Sequence, residues 1–258
     1  MKKIILFICV FIFTSIPVFA GSFPDVPADH ANYEAVELLD ERGIIHGYDD
    51  GTFGPDNLVN RAEAMKIIVN AFGIDHNGPY NPIFPDIFED EWYFPYVMGG
   101  YNTGIIDGYD DGTFKPGNYV NLAEFLKIVV IASDVDLPSN VQGDVFVDVN
   151  SSEWYAPHAL FARDHNVVMP DDYGYLNADQ FMTRAAVAEA IYRMLNVLEN
   201  NGDPYPLDKN WDLYVSTLLP FKIKYDPLSW KLIEYDDEVV FFRGDKEYLQ
   251  FSPIRVYP

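Results

Sequence analysis

The string Gly-Tyr-Asp-Asp-Gly-Thr-Phe occurs twice, at 47–53 and 108–114, an offset of 61 residues. The same offset carries Phe23-Pro24-Asp25 onto Phe84-Pro85-Asp86, and Asn60-Arg61-Ala62-Glu63 onto Asn121-Leu122-Ala123-Glu124. A further 62 residues lead to Phe146-Val147-Asp148 and Thr183-Arg184-Ala185-Ala186. Order and spacing are both kept, so one supersecondary unit is built three times.

Each unit reads as helix, loop, helix. In the first, His30 to Arg42 sets Tyr33, Val36 and Leu39 three apart, with Ala35 and Leu38 beside them. Gly43 follows where a helix favours a left-handed residue, and Gly104 and Asn166 repeat it. Pro95 and Pro157 fall near the starts of their helices, where a missing N–H costs little. The second helix opens on a capping box, Asn60 with Glu63 and Asn121 with Glu124. Thr183 keeps the cap, but Ala186 loses the return bond. Behind the caps run the stripes Met65, Ile68, Val69, Phe72 and Ala188, Ile191, Tyr192, Leu195. Phe125 to Ile131 is apolar nearly all round, which predicts the most buried of the three second helices.

One such unit is too small to bury both stripes. Three can do so by pooling their second helices about a shared axis. The fold class expected is therefore mainly α: three helix-loop-helix units at 21–80, 81–140 and 141–200, arranged with pseudo-threefold symmetry. A linker by composition follows at 201–214. Period-two alternation, as in Phe221-Lys222-Ile223-Lys224-Tyr225, then predicts a small β element of three or four strands at 215–258, with a hairpin turn at Gly244-Asp245. That turn also explains Arg243-Gly244-Asp245 more simply than an adhesion motif does.

Residues 1–20 read as a secretory signal peptide. Lys2 and Lys3 precede an apolar run from Ile4 to Phe13, and Val18-Phe19-Ala20 supplies a cleavage site. The run is too short to span a bilayer. The expectation is export, with Cys9, the one cysteine, removed in the leader. The chain carries 40 Asp+Glu against 17 Lys+Arg, a net charge of −23. Nucleic acid and anionic lipid are disfavoured as partners, because both need clustered cations. Residues 21–200 hold 30 acids and only eight bases.

The pattern Phe-x-Asp, a Trp near the first helix, Gly-Ile-Ile-x-Gly-Tyr-x-Asp-Gly-Thr-Phe-x-Pro, then Thr/Asn-Arg-Ala-Glu, closely resembles the S-layer homology (SLH) repeat. The first two units carry nearly all of it. The resemblance implies a three-pronged spindle with a central three-helix bundle and ligand grooves between adjacent repeats. It implies non-covalent attachment of an exported protein to the bacterial cell envelope. The implied partner is a secondary cell-wall polymer bearing pyruvylated sugars, or peptidoglycan. The implied site residues are Arg61, Arg184, Glu63, Glu124, Asp25, Asp86, Asp148, Trp92, Trp154, Gly47 and Gly108. Arg61 and Arg184 stand at the first helical position, where unpaired N–H groups and the helix dipole favour an anion.

Plainer roles stand beside these. Glu63 and Glu124 are explained by capping alone. Asp25, Asp86 and Asp148 either close a turn or line a groove. Trp92 and Trp154 either stack on a sugar or fill core, and core is the simpler assignment. Leu122 replaces the Arg in the second unit, Ala31 stands where Trp92 and Trp154 stand elsewhere, and Pro170 replaces the first loop glycine in the third. One or two competent grooves are therefore expected. The Asp-Asp-Gly loops lack EF-hand spacing, the histidines lack paired ligand spacing, and no nucleophile elbow occurs. No metal, cofactor or catalytic group is expected. A structural alternative remains, in which the units form a self-assembling surface-layer scaffold with lateral contacts through the β element.

Overall fold

The computed structural model describes residues 21–207 and, beyond them, the backbone of five short strands between Asp212 and Phe251. The leader at 1–20 and the turn expected at Gly244-Asp245 lie outside the described residues, and the described strands number five where three or four were expected. Six helices occupy the repeat region: α1 Tyr33–Glu41, α2 Arg61–Ala71, α3 Phe94–Asn102, α4 Leu122–Ala132, α5 Ala156–Asp164 and α6 Arg184–Glu199. Strands β1 (Asp212–Val215) and β2 (Lys222–Tyr225) pair antiparallel. Strands β3 (Lys231–Glu234), β4 (Val239–Arg243) and β5 (Lys246–Phe251) form a second antiparallel sheet in that order. No helix among the described residues is long and apolar enough to cross a membrane.

The helix ends follow from their residue types. Asn60 accepts from Glu63 N at 2.9 Å while the Glu63 carboxylate accepts from Asn60 N, and Asn121 with Glu124 repeats the pair. Thr183 accepts from Ala186 N without a return bond. Gly43, Gly104 and Asn166 all take positive φ just past α1, α3 and α5. The first helix begins at Tyr33, later than the apolar pattern predicts. Pro27 O and the His30 ring capture the N–H groups of His30 and Asn32, holding a turn there instead.

The first helix of each unit packs on the second helix of the unit before it: α3 on α2, α5 on α4, and α1 on α6. The first of these is close at Gly100, where a Cβ would stand 2.4 Å from Met65 Cε and the methionine methyl would have to shift. The buried side chains form one cluster running from Phe23 to Tyr205. Helix α4 buries seven of its eleven residues, but so does α2. The expectation that α4 is the most buried therefore fails, because α2 buries the long Arg61 side chain together with six apolar residues.

Backbone hydrogen bonds link the units head to tail. Val59 N donates to Met182 O (3.0 Å), Met182 N to Val120 O (2.9 Å), and Val120 N to Val59 O (3.0 Å). Two residues further on, Arg61 N meets Asn118 O, Leu122 N meets Gln180 O, and Arg184 N meets Asn57 O. The first amides of the three second helices, which have no partner inside their helix, are thus satisfied by a neighbouring unit.

Each loop is clasped by one carboxylate from the start of its own unit. Asp25 accepts from Phe53 N and Gly54 N at 2.8 and 2.7 Å. Asp86 accepts from Phe114 N and Lys115 N, and Asp148 from Leu176 N and Asn177 N. Burial raises the Asp25 carboxyl, but the two amides outweigh it and hold its pKa below 3.8. Asp111 is lowered to about 2, chiefly by the Thr113 hydroxyl and then by Lys115. Groups depressed in the folded state stabilise it above their unfolded pKa and lose that contribution as pH falls through the folded value. The urea midpoint should hold level from pH 7 to about 5 and drop between about pH 4 and 2. Asp25→Asn should lower the midpoint at pH 7 and make the acid drop shallower.

Candidate functional site

Two grooves of matching composition lie between units. The first, of about 230 Å³, is lined by the loop residues His46, Gly47 and Tyr48, by Glu63 and Lys66 of α2, by Trp92, and by Arg184. The second, of about 180 Å³, is lined by Gly108 and Tyr109, by Glu124 and Lys127 of α4, by Trp154, and by Arg61. Each draws on all three units, as the packing of the helices requires. The loop and the glutamate and lysine come from one unit, the Trp from the next, and the Arg from the one before.

The arginines are buried, 6 % and 9 % exposed, and do not project freely from their helix ends. Arg61 Nε donates to Phe114 O at 2.9 Å, and its guanidinium lies between the rings of Tyr109 and Phe114, at 4.6 and 4.7 Å. Arg184 repeats this against Phe53 O (2.8 Å), with Tyr48 and Phe53 as its rings, and also donates to His46 O. A planar guanidinium fits such a slot where an ammonium does not. The arginine thus joins the helix end of one unit to the loop of the next while lining the groove.

The tryptophans stand at the grooves and not in the core. Trp92 is 51 % exposed and Trp154 56 %, each edge-on to the following tyrosine. The core assignment is overturned because α3 and α5 bury the residues that face α2 and α4, and the tryptophans precede those helices. Lys66 Nζ lies 5.7 Å from the Trp92 ring centre. Glu63 and Glu124 cap their helices and also line the grooves. Glu124 accepts from the Tyr109 hydroxyl at 2.7 Å. Burial first, and then this bond, pushes the Tyr109 pKa to about 12, so it remains a donor at any physiological pH.

Asp25, Asp86 and Asp148 clasp loops, and none is among the residues lining the grooves. Gly47 and Gly108 leave no space for a side chain. A Cβ at either would stand 2.4 Å from the ring of Phe23 or Phe84 and under 3.0 Å from a loop carbonyl. Gly108 in addition has φ +79°. Gly108→Ala should cost about 1–3 kcal/mol, read as a lower urea midpoint. Among the histidines, His158 is buried, and burial together with nearby Lys127 lowers its pKa, keeping it neutral at pH 7. Asp50 and Asp111 turn their carboxylates onto the Thr52 and Thr113 amides and hydroxyls of their own loops.

Lys66 and Lys127 complete the cation set, and neither is among the residues expected from the sequence. The signal was available, because they are 61 residues apart and three residues after Glu63 and Glu124. The eight bases of residues 21–200 then divide evenly. Arg42, Lys115, Arg163 and Arg193 each pair with a carboxylate at 2.9 Å or less, outside the two grooves. The other four converge in the two grooves. Among the described residues, only Arg61 of these has a carboxylate within 4.0 Å, Glu124 at 3.8 Å.

The third groove lacks this set. Its lining includes Leu122 at the Arg position, Ala186 and Glu189 at the Glu and Lys positions, and Pro170 at the loop glycine. His30 and Asn32 flank Ala31, the residue at the Trp position. The departures spread over three units in the sequence thus meet in one place, leaving two complete grooves.

Two segments of the chain, 22–65 and 83–126, match the S-layer homology domain. Both loops of the complete grooves fall inside them. The chain is 30% identical over 134 residues to an S-layer protein of Bacillus thuringiensis subsp. finitimus, covering 52% of this chain and 16% of that protein. It is 29% identical over 167 residues to cell surface glycoprotein 1 of Acetivibrio thermocellus, covering 59% and 7%. The surface-layer 125 kDa protein of Lysinibacillus sphaericus is 33% identical over 103 residues, covering 40% and 9%. The chain thus spans no more than about a sixth of the length of these relatives. The SLH match and these surface proteins indicate a protein of the cell surface or cell wall.

Proposed function

We propose that residues 21–200 anchor the exported protein non-covalently to the bacterial envelope by binding an acidic wall glycan in the two complete grooves. The ligand class is a secondary cell-wall polymer, with pyruvylated sugars as its best-fitting form, or peptidoglycan. The three units form a pseudo-threefold spindle, a reading supported by the cyclic hydrogen bonds of Val59, Val120 and Met182. The third unit acts as a divergent SLH repeat, and the small β element expected at 215–258 follows it, with its first strand, Asp212–Val215, beginning inside the stretch expected as linker. The protein acts as a binding module and not as an enzyme.

One observation carries the reading: four of eight cations in a strongly acidic domain stand in two like grooves, and three of them have no carboxylate partner among the described residues. Left so, they favour an incoming anion, and an aromatic wall beside each offers a flat apolar face to a sugar ring. The surrounding negative charge repels non-specific polyanions and leaves recognition to an acidic group seated inside the groove.

Lys66→Ala together with Lys127→Ala tests this without touching the buried arginines. Both lysines sit on helix surfaces, so the melting temperature should hold. Retention on a purified wall fraction should drop about tenfold, the equivalent of about 1.4 kcal/mol. Full retention by the double variant would remove the lysines from the site.

A further inference from the structure

The third groove is the widest, about 600 Å³, within the range of small-ligand clefts. Its chemistry is the reverse of the other two. Arg193, the only Lys or Arg among its lining residues, is occupied: it donates to Glu189 at 2.7 Å and to Asn166 O, and stacks on Tyr205. Glu189 also takes the Asn32 amide. A sugar acid entering here would meet Asp56, Asp171 and Glu189, with no free cation among the described residues of the lining to receive it.

What the groove offers is exposed apolar surface. Met169, Tyr175 and Phe181 line it and are 46, 41 and 54 % exposed. The Phe181 ring lies 5.8 Å from that of Tyr119, itself half exposed, so the aromatic wall continues beyond the groove's edge. Leu58 stands at the same repeat position and is exposed too. Rings held open to water in a chain of net charge −23 mark a contact surface. Like charge disfavours a second copy of the chain, and the surface is concave. A pyranose matches it: its C–H face lies flat on an aromatic ring while its hydroxyls reach the side-chain amide of Gln180 on the lining.

We propose that the third groove, with Phe181 and Tyr119 as its wall, is a separate site for an uncharged pyranose. Its setting rests on the wall-glycan reading, but its chemistry does not depend on the other two grooves.

Methionine-methyl NMR of the full chain tests it, with tetra-N-acetylchitotetraose as the neutral probe and a hyaluronan tetrasaccharide as the acidic one. Met169 and Met182 line the groove, while Met65, Met98 and Met194 are core controls. The neutral probe should shift the Met169 and Met182 signals along one saturable curve and leave the Trp92 and Trp154 indole signals in place. The acidic probe should leave Met169 and Met182 unmoved. Phe181→Ala and Tyr119→Ala, both at exposed rings, should each weaken the neutral probe about tenfold, and Lys66→Ala with Lys127→Ala should not. Unmoved Met169 and Met182 signals, equal response to both probes, or full affinity in both aromatic variants would overturn the proposal. Wall retention through the two complete grooves is read separately, so either reading can fail alone.

Discussion

Replacing Trp92 and Trp154 together by alanine should release about nine-tenths of wall-bound protein while leaving the fold intact. Aromatic residues at a binding surface each contribute about 1–2 kcal/mol or more when truncated, against about 1.4 kcal/mol for a tenfold change in affinity. Both rings are half exposed, so their loss opens no core cavity. The melting temperature should stay within about 2 °C, since surface changes usually stay within about 0.5 kcal/mol. Sedimentation with a wall fraction measures the first quantity and thermal unfolding the second. Full retention in the double variant would return both residues to a structural role.

Arg61→Ala should act on the other side of that divide. The guanidinium is buried, holds Phe114 O and fills the slot between Tyr109 and Phe114. Its removal leaves a carbonyl without its donor and strips the packing of a long side chain, a cost of about 2–4 kcal/mol. For a domain of this size that lowers the melting temperature by about 4–16 °C. Arg61→Lys should recover little, because the Nε donor and the planar stack are both lost. Arg184→Ala should behave in the same way, through Phe53 O and the ring of Tyr48. Wall binding should be lost too, but an arginine variant alone cannot separate ligand contact from integrity of the groove. The lysine and tryptophan pairs can.

Local chemistry was legible in the residues. Asn60 and Asn121 with their glutamates announced reciprocal caps, and Gly43, Gly104 and Asn166 announced helix ends, because each depends on residue type at fixed short range. Groove membership was not legible, because it depends on which unit packs on which. The sequence shows Ala31, Leu122 and Pro170 as three separate defects, one per repeat. Packing each first helix on the previous unit brings their positions into one groove and leaves two others whole. Arg61 shows the same limit. Its place at a helix start was evident, but not that Phe114 O, 53 residues on, would take its Nε. The lysines have a plainer reason: Lys66 and Lys127 follow the caps of Glu63 and Glu124 by one turn, where a lysine on a helix surface carries no motif of its own.

The most direct measurement compares wild-type retention on a purified wall fraction before and after selective removal of its acidic substituents, ketal-linked pyruvate first. Binding through cationic grooves requires that retention be lost with those groups, while the folded state and the third groove's response to a neutral sugar stay unchanged. Equal retention on the stripped wall would contradict the account at its centre, since the unpaired cations would then have no part in holding the protein there.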